Sequence, residues 1–286
     1  MIKLKAYAKL NLSLNIIPHR LKNGLYPVKF INCQIELHDQ LYFEKKTNNV
    51  EFFCSSLDVP KKEDNIIYKA ALLLKKIINQ QKLGAKITLQ KNIPIKAGLG
   101  GGSSDAAATL IGLAKLWNIK LTQNMKFFLA EKLGKDVHYC LTGKLCEVRE
   151  DGSTIIPLNL KMPKFWLVIV SPEEKKPSTK FMYENLNSKE IGKNLYKFNK
   201  LKKAIQKKAR GEILDNLSND FEDLAIRYFP IIKKIKSDIL KEGALKTLLA
   251  GSGLSVLGFF NSKFELKKAV NNLKLKYKNV IWTSTL

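Results

Sequence analysis

An α+β protein of two domains is what this sequence predicts, and three observations predict it. Its first part carries alternating apolar runs, beginning with Ile2, Leu4, Ala6 and Ala8, that read as half-buried strands. A glycine-rich turn from Pro94 to Asp105 then joins such a run to an alanine-rich stretch of helical period. In the last part, apolar runs at Phe165 to Val170, Leu245 to Leu249, Leu254 to Phe260 and Val280 to Thr283 are mixed with helical segments, the pattern of a second, smaller layered domain. The boundary is placed at Met162-Pro163, which divides the chain into 1–162 and 163–286.

Taken in order, residues 2 to 17 read as one strand or as two with a bend. Leu10, Leu12, Leu14 and Ile16 continue the period, and Lys9 and Asn11 share the face opposite them. Arg20 to Pro27 carries turn chemistry around Asn23-Gly24. Phe30 to Leu37 and Leu41 to Phe43 read as further strands with Asp39 between them. Glu63-Asp64-Asn65 caps a helix whose Ile66, Ala70, Leu73 and Leu74 form an apolar stripe. Ala85, Ile87 and Leu89 then alternate as a strand that feeds the glycine turn.

In that turn, consecutive glycines can take backbone angles closed to other residues and let bare N–H groups approach a bulky anion. Ser103, Ser104 and Asp105 are expected to cap the helix that follows, in which Ala106, Leu110, Leu113 and Trp117 recur on one apolar face. The positive end of the helix therefore meets the loop, which is the physical recipe for a phosphate cradle. A Walker loop is excluded because Ser-Ser-Asp stands where Lys-Ser/Thr would follow the last glycine. A dinucleotide fingerprint is excluded because Ser103 occupies its third glycine.

Beyond the loop, Asn124 to Leu133 reads as a helix closed by Gly134, and Leu145 to Val148 with Thr154 to Leu158 as a hairpin turning at Asp151-Gly152. The lysine-rich stretch from Glu173 to Lys203 reads as solvated surface. Asn219 to Glu222 opens one helix and Pro230 another, with caps and core accounting for all of these residues. Gly251-Ser252-Gly253 makes a tight turn between two strands, and Phe264 to Leu273 is the last helix.

The formal charge of +25 comes almost entirely from lysine, for Arg20, Arg149, Arg210 and Arg227 are the only arginines. Arginine forks and aromatic stacking mark readers of nucleic acid, and neither clusters here, so no nucleic-acid partner is expected. A field of this sign suits a small polyanionic substrate. Cys33, Cys54, Cys140 and Cys146 show no Cys-x-x-Cys spacing, which argues against a zinc site or disulfide framework and for a cytoplasmic location. The amino-terminal stretch lacks the apolar core of a signal peptide or membrane span, so no membrane association is expected.

The run from Pro94 through Gly98-Leu99-Gly100-Gly101-Gly102-Ser103-Ser104-Asp105-Ala106 resembles the ATP loop of the GHMP kinases, the superfamily of galactokinase and of homoserine, mevalonate and phosphomevalonate kinases. Three other segments are similar to that family's motifs in order and spacing. Ala8-Lys9-Leu10-Asn11-Leu12 looks like the opening Ala-Lys-Ile-Asn-Leu, and Gly134-Lys135-Asp136-Val137-His138-Tyr139 looks like Gly-x-Asp-Val-Pro-Phe. Ala250-Gly251-Ser252-Gly253 resembles the late Thr-Gly-Ser-Gly motif with alanine for threonine.

The resemblance implies a ribosomal protein S5-like N-terminal domain, a ferredoxin-like C-terminal domain, and an ATP- and Mg²⁺-dependent kinase acting on a small-molecule alcohol. It implies catalytic roles for Lys9 and Asp136. It assigns ATP binding to Asn65 and to Pro94, Ile95, Lys96, Ala97, Gly98, Leu99, Gly100, Gly101, Gly102, Ser103, Ser104 and Asp105. Acceptor binding falls to Asn11, Tyr26, Gly251, Ser252 and Gly253. Its nearest pattern implies a cytidyl diphosphate polyol as acceptor, with Leu25-Tyr26 standing where that pattern has Tyr-His; mevalonate, phosphomevalonate or homoserine are the alternatives. Mg²⁺ is expected to be held chiefly by ATP phosphates and water. A monomer or homodimer is expected.

Overall fold

The opening alternation becomes one uninterrupted strand, Ile2–Ile16 (β1). From Ala8 to Ile16 both of its faces are buried, so the polar face that carries Lys9 and Asn11 points into the protein and not into solvent. The computed structural model describes residues 1–286 apart from 23 and 188, and the turn reading at Asn23 lies outside the described residues.

The chain forms two compact units that share it in pieces. Met1–Lys9, Leu37–Lys96 and Gly100–Gly143 make the first, and Leu10–Glu36, Ala97–Leu99 and Lys144–Leu286 the second. β1 and the long strand Val28–Thr47 (β2) each contribute one end to either unit.

In the first unit the strand order is β3-β4-β2-β1, with β3 at Val50–Cys54 and β4 at Leu83–Gln90. β3 runs parallel to β4, and β4 runs antiparallel to β2 with Tyr42 opposite Thr88. The alternation Val50, Phe52, Cys54 that makes β3 was not among the expected strands. Four helices pack on this sheet: Ile66–Ile77 (α1), Gly101–Leu116 (α2), Gln123–Leu133 (α3) and Lys135–Thr142 (α4). Leu41, Phe43, Ile67, Leu74, Ile87, Leu110 and Leu113 form the core between them. The aromatic ring of Phe43 lies against Gly112 of α2, where a methyl group would come within 2.4 Å of it.

Asp39 does not divide β2 into two strands. Its carboxylate faces inward, where Lys91 and the backbone N–H groups of Asn92 and Ile93 satisfy it, so the pairing continues through it. In α1 the cap is Asn65, whose carbonyl oxygen accepts from Ile67 N at 2.8 Å and whose amide donates to the Pro60 carbonyl at 2.6 Å.

In the second unit Ser218–Asn219 (β8) lies parallel to β1, Ser13 opposite Ser218. The expected hairpin is present as Cys146–Arg149 (β5) and Thr154–Pro157 (β6), and β5 pairs with β2 at Phe30 and Val148. A separate antiparallel sheet has Trp166–Ser171 (β7), Lys246–Leu249 (β9), Val256–Phe260 (β10) and Asn279–Ser284 (β11) in the order β11-β7-β10-β9, which is the ferredoxin-like arrangement. Ile231–Lys241 (α9) and Lys263–Lys276 (α10) contact it, through Ile239 against Gly258 in the case of α9. Among the described residues no helix is long and apolar enough to cross a membrane.

The stretch from Glu173 to Lys203 is more than solvated surface. It contains Thr179–Glu184 (α5) and the start of Leu195–Gln206 (α6), whose Phe198, Leu201, Ala204 and Ile205 are buried. Lysine stems flank this stripe and hide its period in the composition. Arg210–Asp215 (α7) and Glu222–Tyr228 (α8) follow.

Asn219 and Asp220 also do more than cap a helix. Asp220 is fully buried and accepts from Ile16 N at 2.8 Å, Gly192 N at 2.9 Å and the Asn194 amide at 3.2 Å. Replacing it with alanine removes the acceptor from one buried and one half-buried backbone donor, Ile16 N and Gly192 N. Asp220→Ala is therefore expected to lower unfolding stability by about 2–4 kcal/mol, read by urea melts, and a shift under 1 kcal/mol would mean that water replaces the carboxylate.

Candidate active site

Lys9 is held where β1 is buried on both faces, and its side chain is only 7% exposed. Its aliphatic stem lies against Gly100, whose missing Cβ would fall 2.6 Å from Lys9 Cγ. Its ammonium reaches Asp136 Oδ2 at 3.5 Å. The first strand, the glycine turn and the Asp136 motif thus converge within the first unit. Asp136 sits in the first turn of α4, two residues after Gly134. Gly134 offers no side-chain cap, so the Asp136 carboxylate lies at the positive end of α4 without a competing capping group. Its side chain is 45% exposed, which leaves it open to an arriving hydroxyl.

The residues flanking Asp136 are tied back to α3. Glu131 accepts from Lys135 Nζ at 2.8 and 2.9 Å, and one of its oxygens lies 2.8 Å from His138 Nε2. Hydrogen bonding by Lys135 and His138 holds the Glu131 carboxyl below its usual range, against some burial. One turn on from Asp136, burial first and then that carboxylate push the Cys140 thiol far up, which removes it as a nucleophile.

The glycine turn departs from expectation at the helix start. α2 begins at Gly101 with Gly100 as its N-cap in a left-handed conformation, and no side chain caps it. Ser103, Ser104 and Asp105 lie inside the first turn instead, with Ser104 Oγ bonded to the Gly101 carbonyl at 3.0 Å. The first N–H groups of α2 consequently carry no side-chain cap, an arrangement that suits an anion. Lys96, Gly98 and Gly100 all have positive φ, at 60°, 82° and 68°. Such left-handed residues turn successive N–H groups toward one concave side, a nest for an anion. Gly102 is exposed, and the nearest atom to a Cβ placed on it is Ile66 Cγ2 at 3.8 Å.

Within the second unit, the tip of the turn, Ala97–Leu99, packs on the late glycine motif. A Cβ on Gly98 would fall 1.9 Å from the Ala250 carbonyl oxygen, and one on Gly253 would fall 2.7 Å from the Ala97 carbonyl and Gly98 N. Two residues outside the expected set fasten this motif. The Asn219 amide donates to the carbonyls of Leu249 and Gly251 at 2.9 and 2.7 Å, and Lys176 Nζ reaches the Ser252 carbonyl and hydroxyl at 2.5 and 2.8 Å. Asn11, expected at the acceptor, donates to Asn32 Oδ1 at 2.7 Å. Tyr26 is half-buried, and the Arg20 guanidinium lies 4.3 Å over its ring.

Among the described residues no group of three or more His, Cys, Asp and Glu side chains is arranged to hold a metal ion. No disulfide joins the four cysteines.

Residues 65–144 match the family described as GHMP kinases N terminal domain, and residues 201–279 match GHMP kinases C terminal. A 4-diphosphocytidyl-2-C-methyl-D-erythritol kinase of Thermoanaerobacter pseudethanolicus is 38% identical over 100% of this chain and 96% of its own. One of Clostridium botulinum is 38% identical over 99% of both. A crystal structure of a 4-(cytidine 5'-diphospho)-2C-methyl-D-erythritol kinase superposes with a TM-score of 0.84 at 28% identity, covering 99% of each chain. Homoserine kinase from Cytophaga hutchinsonii shares the fold at a TM-score of 0.74 and 17% identity, over 100% of this chain and 94% of that one.

Proposed function

This chain belongs to the GHMP kinases, in the family of its 4-diphosphocytidyl-2-C-methyl-D-erythritol kinase relatives, and from that premise we propose that it transfers the γ-phosphate of ATP to the 2-hydroxyl of 4-diphosphocytidyl-2-C-methyl-D-erythritol. The reaction belongs to the non-mevalonate route to isoprenoid precursors. The observation that carries the chemistry is Lys9, buried, pressed under Gly100 and 3.5 Å from Asp136.

Phosphoryl transfer requires the nucleotide to be held, charge to be neutralised on the migrating group, and the acceptor hydroxyl to be oriented. The loop from Pro94 to Asp105, with the uncapped start of α2, is suited to the phosphates. Lys9 supplies positive charge beside it. Asp136, beside Lys9, orients the acceptor hydroxyl and accepts its proton as the new P–O bond forms. Mg²⁺, held by the phosphates of ATP and not by a carboxylate cluster among the described residues, would supply charge neutralisation there. Gly251, Ser252 and Gly253 support the acceptor side, with Asn219 and Lys176 as their anchors. Tyr26, with Arg20 over one face of its ring, takes the base of the acceptor. The paucity of disulfide chemistry suits a reducing cytoplasm.

The direct test follows ADP release and the phosphorus spectrum of the acceptor with Mg-ATP and 4-diphosphocytidyl-2-C-methyl-D-erythritol. Doubly phosphorylated polyol is expected. Turnover with mevalonate, phosphomevalonate or homoserine and none with the cytidyl compound would transfer the assignment to another acceptor class, the difference then lying at Leu25-Tyr26. In the same assay Lys9→Met is expected to reduce kcat by about two orders of magnitude or more, as loss of a preorganised charge does, and a fall of less than threefold would remove Lys9 from the mechanism.

A further inference from the structure

Beneath the phosphate loop two carboxylates share one ammonium. Lys91 Nζ lies 2.5 Å from Asp39 Oδ2 and 2.8 Å from Asp105 Oδ2, and the three side chains are 9%, 0% and 4% exposed. With both carboxylates ionised the group would hold an uncompensated buried negative charge, which is strongly unfavourable. One proton neutralises it.

The hydrogen bonds decide where that proton resides. Asp39 is surrounded by donors, for besides Lys91 its Oδ1 accepts from Asn92 N at 2.6 Å and Ile93 N at 2.8 Å. Both of its oxygens are thus met by donors. Asp105 has Lys91 on one oxygen, while its Oδ1 is buried with no hydrogen-bond partner. A proton there removes the charge that nothing else balances. In agreement, burial pushes the Asp105 carboxyl up to about 8, against the pull of Lys91 and with a push from Asp39. The Lys91 ammonium, although burial opposes its charge, is held above its ordinary value by Asp105 and Asp39. From α4 the Cys140 thiol also faces Asp105, and its burial keeps it neutral.

This group adjoins the loop directly. A Cβ on Gly101, the first residue of α2, would fall 3.1 Å from Lys91 Nζ, and Asp105 belongs to the same helical turn. Any polyanion seated on the N–H groups of that turn therefore interacts with the charge on Asp105.

We propose that Asp105 is a proton-linked positioning residue of the phosphate loop, which takes up one proton from solvent onto Oδ1 as the polyphosphate of ATP binds. The inference rests on reading Gly100–Asp105 as the ATP loop. The step makes an O–H bond on Asp105 at the expense of a solvent or buffer proton, and nothing passes between Asp105 and ATP. Ionised Asp105 repels the phosphates seated on the same helical turn; neutral Asp105 does not.

Isothermal titration of the full chain with Mg-ATP in the absence of acceptor, in two buffers of different ionisation enthalpy, counts the protons. Near pH 8 about half a proton per nucleotide is expected to be taken up, approaching one near pH 9, and the affinity is expected to weaken about tenfold between pH 7 and pH 9. In Asp105→Asn, which fixes the neutral form, both the uptake and the pH dependence disappear. A purely structural Asp105 would change stability and leave the proton count alone. Mg-ATP binding to the parent chain without uptake overturns the proposal, as does equal uptake in the variant. Absence of any Mg-ATP binding overturns the loop reading on which it stands. Should the variant not fold, the count in the parent chain decides alone.

Discussion

Asp136→Asn is expected to lower kcat by about a hundredfold to ten-thousandfold while the affinity for Mg-ATP stays within a few-fold, because general-base assistance contributes on that scale and the nucleotide is held elsewhere. The substitution preserves the size of the side chain and its place in the first turn of α4, but the amide can neither carry charge nor accept the hydroxyl proton. It also removes a negative charge 3.5 Å from Lys9 and from the phosphates expected beside it, so nucleotide affinity should if anything increase. Steady-state rates and direct titration of Mg-ATP on the same preparation separate the two effects. A variant with more than a tenth of the parental kcat would sink the role of Asp136. Its loss of transfer accompanied by an equal loss of nucleotide binding would recast it as a structural residue of the loop.

The second large effect distinguishes two glycines four residues apart. Gly98→Ala should destabilise the protein by about 3 kcal/mol or more, since φ is +82° and the added Cβ would sit 1.9 Å from the Ala250 carbonyl oxygen, a backbone atom that no side-chain rotation can move aside. Gly102→Ala should melt at or slightly above the parental temperature, for alanine favours a helix over glycine by about 0.5–1 kcal/mol and its methyl meets only Ile66 at 3.8 Å. The penalty for Gly102→Ala falls on nucleotide binding, because the methyl stands at the open, uncapped start of α2. Thermal melts with a parallel Mg-ATP titration test both. Equal melting temperatures for Gly98→Ala and the parent would mean that the contact with Ala250 does not form in solution.

What the sequence made legible was local chemistry with a fixed spacing. The glycine run has residue types that suit an anion, Lys9 and Asp136 were marked by their resemblance to family motifs, and the alternations at Ile2 to Ile16 and at Ala85 to Leu89 announce the strand that carries Lys9 and the strand that precedes the glycine run. Interactions between distant residues had no such signature. Asp39 looked like a strand break because its partners Lys91, Asn92 and Ile93 lie more than fifty residues away. Asn219 looked like a helix cap because its ties to Leu249 and Gly251 span some thirty residues. α6 was hidden by composition, its buried Phe198, Leu201, Ala204 and Ile205 being set among lysines. The one local error, a side-chain cap expected from Ser103, Ser104 and Asp105, came from applying the ordinary preference for capped helices to a helix whose N-cap is a left-handed glycine.

The contact between Gly98 and the Ala250–Gly253 turn also sets a timetable for biosynthesis. Residues 97–99 belong to the packing unit that is completed only by Lys144–Leu286, and their backbone partners emerge roughly 150 residues after them. At the usual pace of translation this is a delay on the order of ten to thirty seconds. The nascent chain must carry the tip of its glycine loop unpacked for that interval, and truncation before Ala250 leaves it so permanently. Ribosome-bound fragments ending near residue 200 should therefore be cut readily by protease at Lys96, and released full-length chains should resist.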